Sequence, residues 1–233
     1  MTLNLFFKGD STIPQFDDYY ANRAKAHQDQ LTKPPGSLGR LENIAIWMAG
    51  WQRKTNPTMD NPQCLIFAGN HGVARHGVSA YPSDVTAQMV QNFKNGGAAV
   101  NQLCELANLK LSVVPLDLDK PTRDFSQDTA MELEETIAAM QVGFKSVNAE
   151  CDLLILGEMG IANSTAATAI ACALFNQPVE DWTGLGTGLD KKGVLNKISV
   201  IKSALQLPGQ DFHSTQTILA TLGGRELGAI VGS

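Results

Sequence analysis

The stretch that decides the fold is residues 152–165, DLLILGEMGIANST. Its first five residues are typical of a buried parallel strand, and Gly157 and Gly160 then indicate a turn. Asn163, Ser164 and Thr165 are residue types that cap helices, and small residues continue a helix pattern as far as residue 174. The stretch therefore predicts a strand, a glycine-rich turn and the N-terminus of a helix.

A helix N-terminus of this kind favours an anionic ligand, because its free N–H groups and the positive end of its dipole attract negative charge. Glu158 lies in the predicted turn, so a phosphorylated ligand and a candidate acid or base would meet there. The alternative interpretation is that the glycines only let the chain reverse. The stretch matches neither the dinucleotide fingerprint nor the Walker loop, and no lysine follows its second glycine.

A second glycine-rich loop strengthens the hypothesis of a phosphate site. Residues 185–190, LGTGLD, precede a predicted helix over residues 191–205, which carries Lys192, Lys197 and Lys202. Two such loops, each followed by a helix, make a paired anion cradle more credible than either loop alone.

Two further buried strands are predicted at residues 64–68 and 111–118, which gives an α/β fold. The first strand leads to His71 at its carboxyl end, where ligands bind in open α/β sheets, although a lone histidine is more often structural. Asp117 and Asp119 follow the other strand and could bind magnesium, but their spacing is nonspecific and favours a solvated loop. We expect neither a metal nor a cofactor.

The N-terminal part of the chain predicts two helices, at residues 14–30 and 41–52. Between them lies KPPGSLGR, residues 33–40, with a charged residue at each end. Its prolines exclude helix and its glycines permit unusual backbone angles, so we expect an ordered loop, with a simple linker as the alternative.

Composition places the 233 residues among ordinary globular proteins, with 43% hydrophobic and 18% charged residues. The net charge of −5 argues against nucleic acid or an anionic membrane as the main partner. The four cysteines are widely spaced, which favours neither a zinc site nor a disulfide framework. With no signal-peptide pattern and no long apolar run, the sequence predicts a soluble cytoplasmic protein.

Seven stretches together carry a family resemblance. They are LTKPPGSLGRLE (31–42), FAGNHGV (67–73), GVSAYPSDVTAQMV (77–90), NGGAAVN (95–101), LGEMGIANSTAA (156–167), GTGLD (186–190) and LGGRELGAIVG (222–232). In this order they resemble the nicotinate-nucleotide:dimethylbenzimidazole phosphoribosyltransferase family, which acts in cobalamin lower-ligand synthesis. The resemblance covers almost the whole chain and corresponds to the N-terminal two thirds of the family.

The resemblance implies a Rossmann-like, mostly parallel sheet flanked by helices, and a homodimer. Residues 1–54 would belong to a small helical domain that is incomplete here, and residues 55–233 to a large nucleotide-binding domain whose C-terminal part is absent. The implied reaction moves the phosphoribosyl group of nicotinate mononucleotide to 5,6-dimethylbenzimidazole, giving α-ribazole phosphate and nicotinate.

The resemblance also implies roles for particular residues. Glu158 would be a supporting carboxylate at the reaction centre. The residues expected around the nucleotide are Gly157, Gly160, Asn163, Ser164, Thr165, Gly186, Thr187, Gly188 and Lys197. Those expected near the azole are Tyr81, Pro82 and Gln88.

Two departures from the family pattern bear on function. Asn70 stands where the family usually has aspartate, and the family's general-base glutamate would lie beyond Ser233. An alternative hypothesis is therefore a truncated or degenerate relative that binds a nucleotide or a partner without turnover. An unrelated oxidoreductase is disfavoured, because the chain lacks the G-x-G-x-x-G fingerprint.

Overall fold

The computed structural model describes residues 14–210 and 212–233, in two units, of which the first ends at Pro62 and the second begins at Gln63. The first unit is built on helices α1 (Asp18–Gln30) and α2 (Arg40–Gln52). The loop between them is held by Glu42, which accepts hydrogen bonds from the Lys33 ammonium at 2.6 Å and the Leu38 N–H at 3.2 Å. These contacts confirm the prediction of an ordered loop over a simple linker.

Three strands form the sheet of the second unit within the described residues, in the order β2-β1-β3. They are β1 (Pro62–Ala68), β2 (Lys110–Pro115) and β3 (Leu153–Met159). β1 and β2 are parallel, with Gln63 opposite Lys110 and Ala68 opposite Pro115. The Gly69 N–H donates to the Met159 carbonyl at 3.0 Å, so the carboxyl ends of β1 and β3 also meet.

Helices surround this sheet and follow its strands along the chain. They are α3 (Asp84–Lys94), α4 (Ala99–Leu106), α5 (Leu133–Ser146), α6 (Asn163–Phe175), α7 (Val179–Trp182), α8 (Lys191–Leu205), α9 (Thr215–Leu222) and α10 (Arg225–Gly232), with a 3-10 turn at Gly72–His76. This arrangement confirms the predicted α/β class, a parallel sheet flanked by helices. Within the described residues, no helix is both long and apolar enough to cross a membrane.

The core of the second unit consists of two apolar clusters. The larger joins the small residues of α6 to α8 and α9, and includes Ala166, Ala169, Ile201 and Leu222. The smaller contains Leu65, Phe67, Leu116 and Ala229, and joins the sheet to α10.

Helix α10 packs against α5 at very short range. A Cβ added at Gly143 would collide with the Ala229 backbone, and one added at Gly232 would collide with that of Met140. This close approach fixes α10 and brings its first turn to the carboxyl end of β1, where the candidate site lies.

Candidate active site

The candidate site lies where β1 and β3 end side by side. In the sheet, β2 lies on one side of β1 and β3 lies on the other side, so the strand order reverses at β1. Open α/β folds bind ligands in the crevice at the carboxyl ends of the strands where the order reverses. The turns after the two strands touch, because a Cβ added at Gly160 would lie 2.5 Å from the Gly69 carbonyl oxygen and 3.5 Å from His71 Nε2. Gly160 therefore permits an approach that a larger residue would prevent.

The turn after β3 leads into α6 without a side-chain cap. Ala162 occupies the N-cap position with φ of +75°, and the N–H groups of Asn163 and Thr165 donate to the carbonyls of Gly160 and Ala162. The prediction that a side chain of residues 163–165 caps this helix was therefore wrong. The helix begins instead after a left-handed residue, Ala162, without a side-chain cap. As a result, the hydroxyls of Ser164 and Thr165 are not used as caps.

Lys197 is the main charge beside this helix start. Its side chain comes from α8, is 1% exposed, and its Nζ donates to Ser164 Oγ at 2.9 Å. Among the described residues, no carboxylate forms an ion pair with it. Burial lowers the pKa of the Lys197 ammonium. A buried cation without a counter-ion is costly, so the site favours an anion that supplies the missing charge.

The second glycine-rich loop closes over Lys197 and Ser164. Gly186 has φ of +55°, and a Cβ there would lie 3.0 Å from Ser164 Oγ and 3.3 Å from Lys197 Nζ. Thr165 Oγ1, in the first turn of α6, is buried and has no hydrogen-bond partner in the described part of the chain. The structure thus brings Ser164, Gly186 and Lys197 together, with Thr165 in the same helical turn as Ser164, and their role as nucleotide contacts stays a prediction.

Thr187 and Gly188 connect this cradle to the segment predicted to hold the azole. Thr187 Oγ1 lies 2.8 Å from Ser79 Oγ and accepts from the Ala80 N–H at 3.1 Å. Gly188 has φ of +104°, a conformation that favours glycine. The loop over residues 185–190 therefore adjoins the loop that carries Tyr81.

The three residues expected near the azole are exposed, and none of them lines the cavity beside Glu158. Tyr81 and Pro82 lie on the loop before α3, and Gln88 lies on α3. α3 is tied to the site through Thr86, whose Oγ1 accepts from the Ile161 N–H at 3.1 Å. α3 is thus anchored to the turn after β3, while the placement of the azole stays a prediction.

Glu158 lies on β3, one residue before its end, and not in the turn that the sequence predicted. β3 continues through Gly157, which lies within the strand, where a Cβ would sit 3.3 Å from Ile66 Cγ1. Glu158 is exposed and lines a cavity of about 390 Å³ with Ile66, Phe93 and Leu156. The surrounding protein removes enough water to raise the pKa of Glu158. Repulsion from Glu226 adds to this shift, and attraction to His71 opposes it.

Glu226 is the functional candidate that sequence reasoning missed. It opens α10, and its Oε1 lies 2.7 Å from His71 Nε2, with both side chains 0% exposed. The available signal was a carboxylate next to Arg225 in the first turn of a helix whose remaining residues are apolar, just after Gly223 and Gly224. His71, considered as a ligand contact, is instead sealed from solvent by this partner.

Asn70 has a structural contact of its own. Its Nδ2 donates to the Leu118 carbonyl at 3.0 Å, and its Oδ1 is buried without a hydrogen-bond partner in the described residues. The amide therefore ties the end of β1 to the segment that follows β2.

Comparison with known proteins gives one consistent result. The relatives include nicotinate-nucleotide:dimethylbenzimidazole phosphoribosyltransferases of Cereibacter sphaeroides and Mesorhizobium japonicum, which are 48% and 49% identical over 221 residues, or 95% of this chain. The chain spans 65% and 66% of their lengths, just under two thirds. The crystal structure of CobT from Thermus thermophilus matches with a TM-score of 0.80 and 34% identity, covering 92% of this chain and 70% of that one.

A family model described as phosphoribosyltransferase matches residues 13–233, nearly the whole chain. This match runs through both glycine-rich loops, Lys197 and the pair formed by His71 and Glu226. The chain therefore belongs to this phosphoribosyltransferase family.

Proposed function

We propose that the chain transfers the phosphoribosyl group of nicotinate mononucleotide to a nitrogen of 5,6-dimethylbenzimidazole. The products would be α-ribazole phosphate and nicotinate, in the synthesis of the cobalamin lower ligand. The observation that carries the proposal is the buried Lys197, which reaches from α8 to the start of α6 and has no carboxylate partner in the described residues. A phosphate there would satisfy both the charge of Lys197 and the helix dipole. The names of the close relatives support this choice of substrates.

The phosphate would be held by Lys197, the Ser164 and Thr165 hydroxyls, and the backbone of Gly186. Lys197 already donates to Ser164 Oγ, so one ammonium hydrogen is used and two remain for phosphate oxygens. The other expected nucleotide contacts are Gly157, Gly160, Asn163, Thr187 and Gly188. We assign these from the family resemblance and from the position of the two loops.

The transfer would proceed at C1′ of the ribose. The bond between C1′ and the nicotinate nitrogen breaks, its electron pair leaves with nicotinate, and an azole nitrogen forms the new bond. The azole then releases its N–H proton to water. Glu158, as a carboxylate, would stabilise the positive charge that develops on the ribose and the azole. Tyr81, Pro82 and Gln88 would flank the azole.

The proposal extends to the setting of the reaction. All four cysteines are free, which suits a reducing cytoplasm. We further propose a homodimer, and a small helical domain to which residues 1–54 contribute, with residues 55–233 in the large nucleotide-binding domain. Both follow from the family resemblance.

The test separates binding from turnover. Calorimetric titration of the 233-residue chain with nicotinate mononucleotide should show one phosphate-dependent site per chain. An assay for nicotinate release should then show that release depends on added dimethylbenzimidazole. Failure of the folded protein to bind the nucleotide would remove the site assignment. Nucleotide binding without nicotinate release would instead favour a protein that binds the nucleotide without turnover.

A further inference from the structure

The loop that carries Tyr81 and Pro82 leaves the core and returns to it within a few residues. Val78, which belongs to the larger apolar cluster, is 2% exposed, and Thr86, in the first turn of α3, is 0% exposed. The residues between them are exposed or half-buried. We call residues 79–83 the acceptor loop, because Tyr81 and Pro82 are expected beside the azole. Where this loop lies depends on what holds its two ends.

The C-terminal end of the acceptor loop is held by a side-chain hydrogen bond. Thr86 Oγ1 accepts from the Ile161 N–H at 3.1 Å, and Ile161 is 1% exposed. This N–H belongs to the turn that leads from β3 into α6, where the phosphate is expected. Thr86 and Val90 are the buried residues of α3, and a valine at position 86 would have the same branched shape. The hydroxyl is therefore what distinguishes Thr86, since it satisfies a buried backbone donor.

Two further hydrogen bonds join this part of the chain to the other elements of the phosphate site. Thr187 Oγ1, in the second glycine-rich loop, accepts from the Ala80 N–H at 3.1 Å. Asn196 lies on α8, one residue before Lys197, and its Nδ2 donates to the His76 carbonyl at 2.7 Å. The start of α6, the second glycine-rich loop and α8 thus each bond to the acceptor loop or to the residues that flank it.

We propose that Thr86 is a positioning residue for the acceptor substrate, whose hydroxyl fixes the acceptor loop beside the phosphate site. Tyr81 and Pro82 are then in place before the azole arrives, which lowers the entropy cost of azole binding. The contact of the loop with the azole rests on the proposed function, whereas the anchoring of the loop by Thr86 does not.

Loss of this anchor should affect the azole more than the nucleotide. The turn before α6 keeps its own backbone hydrogen bonds, which are donated by Gly69, Asn163 and Thr165, so the phosphate site keeps its shape. The acceptor loop loses the bond at its C-terminal end. The affinity for the azole then falls in proportion to the fraction of molecules in which the loop is still in place.

Two variants of Thr86 and one control separate the hydroxyl from the rest of the side chain. Thr86→Val keeps the branched shape and removes the acceptor, whereas Thr86→Ser keeps the acceptor and removes a methyl group. The matched control is Thr136→Val. Thr136 is also 0% exposed on a helix, but its Oγ1 donates to the Glu132 carbonyl at 3.1 Å, four residues earlier in the chain.

The first measurement is amide hydrogen exchange followed by NMR, without any ligand. In Thr86→Val, the amides of Ile161 and Ala80 should exchange about 2-fold to 10-fold faster than in the wild type, the range that one neutral hydrogen bond allows. Thr86→Ser and Thr136→Val should keep the wild-type rates at both amides.

The second measurement is calorimetric titration with 5,6-dimethylbenzimidazole and, separately, with nicotinate mononucleotide. Thr86→Val should bind the azole about 2-fold to 10-fold more weakly and bind the nucleotide as the wild type does. Thr86→Ser should bind both ligands as the wild type does, because it retains the hydroxyl.

Four outcomes would overturn the proposal. They are unchanged exchange in Thr86→Val, the same effects in Thr86→Ser as in Thr86→Val, an equal loss of affinity for both ligands, or a Thr86→Val protein that does not fold even in sucrose, an osmolyte that favours the folded state. The last result would reduce Thr86 to a role in folding alone.

The exchange measurement separates this proposal from the proposed function. If the wild type does not bind the azole, the proposed function fails together with the acceptor role, and faster exchange in Thr86→Val would leave only the anchoring of the loop. If the wild type releases nicotinate and Thr86→Val shows the same KM for the azole, the transfer reaction stands and the positioning role is wrong.

Discussion

Replacing Lys197 with methionine gives the most informative single change, because its effects on binding and on stability should have opposite signs. Methionine keeps the length of an apolar chain on the buried face of α8, which Lys197 shares with Ile201 and Ala204. It removes the ammonium that donates to Ser164 Oγ at 2.9 Å. Without ligand, the variant loses an unpaired buried charge, and with ligand it loses a phosphate contact.

The size of the binding effect follows from one charge-assisted hydrogen bond. Such a bond contributes about 1.5–3 kcal/mol, and about 1.4 kcal/mol corresponds to a tenfold change in affinity. Lys197→Met should therefore weaken nicotinate mononucleotide binding by about 10-fold to 150-fold. The free energy of unfolding without ligand should equal or exceed that of the wild type, since the cost of burying an ammonium disappears.

The pH dependence has a definite sign. The pKa of Lys197 is below 10.5 in the folded state, so as the pH approaches 10.5 the unfolded chain binds more protons than the folded chain. The stability of the wild type therefore rises with pH in this range. Any stability advantage of Lys197→Met should therefore shrink as the pH rises towards 10.5.

Calorimetric titration and urea unfolding measure the two effects. Lys202→Met is the matched control, because Lys202 is on the same helix but is half exposed and paired with Glu180. It should leave nucleotide affinity unchanged. Wild-type affinity in Lys197→Met, or a clear loss of stability, would refute the reasoning.

Three further predictions concern the surroundings of the site. Glu158→Gln should slow nicotinate release by about tenfold or more. Because the pKa of Glu158 is raised, the variant should also be more stable than the wild type at pH 7, and this gain should fade as the pH falls towards 4.5. Equal stability at pH 7 would show that the charge of Glu158 does not destabilise the fold. Gly160→Ala should destabilise the fold by about 1–3 kcal/mol in urea unfolding and weaken nucleotide binding, whereas Gly184→Ala, with nothing within 4 Å, should do neither. Burial would raise the pKa of Asp124, but hydrogen bonds from Ser126, His76 and Arg75 lower it, so Asp124→Asn should cost about 1.5–3 kcal/mol at pH 7. That cost should disappear as the pH falls below 3.8, and a difference that does not depend on pH would count against this network.

The α/β fold was predictable because each strand and helix carries its own local pattern. The helix predicted at residues 191–205 appears with those bounds, since Asp190 caps it and its apolar side is periodic. That periodicity also distinguishes the three lysines, because Lys197 alone shares the buried face with Ile201 and Ala204, while Lys192 and Lys202 are exposed.

One error is local, and the other arose where distant segments meet. The capping residues after β3 form no cap, because Ala162 adopts a left-handed conformation that no residue-type preference predicts. Glu226 escaped notice because its partner, His71, is 155 positions away in the sequence, and only packing of α10 on α5 brings the two together. Local patterns carry no information about such a contact.

The most direct test of the phosphate site compares two ligands on two proteins. Nicotinate mononucleotide and nicotinate riboside, which lacks the phosphate, are titrated into the wild type and into Lys197→Met. The structure predicts that the variant loses affinity for the mononucleotide by about 10-fold to 150-fold and binds the riboside as the wild type does. An equal loss for both ligands, or no loss for either, would contradict the assignment of Lys197 and the start of α6 to the phosphate.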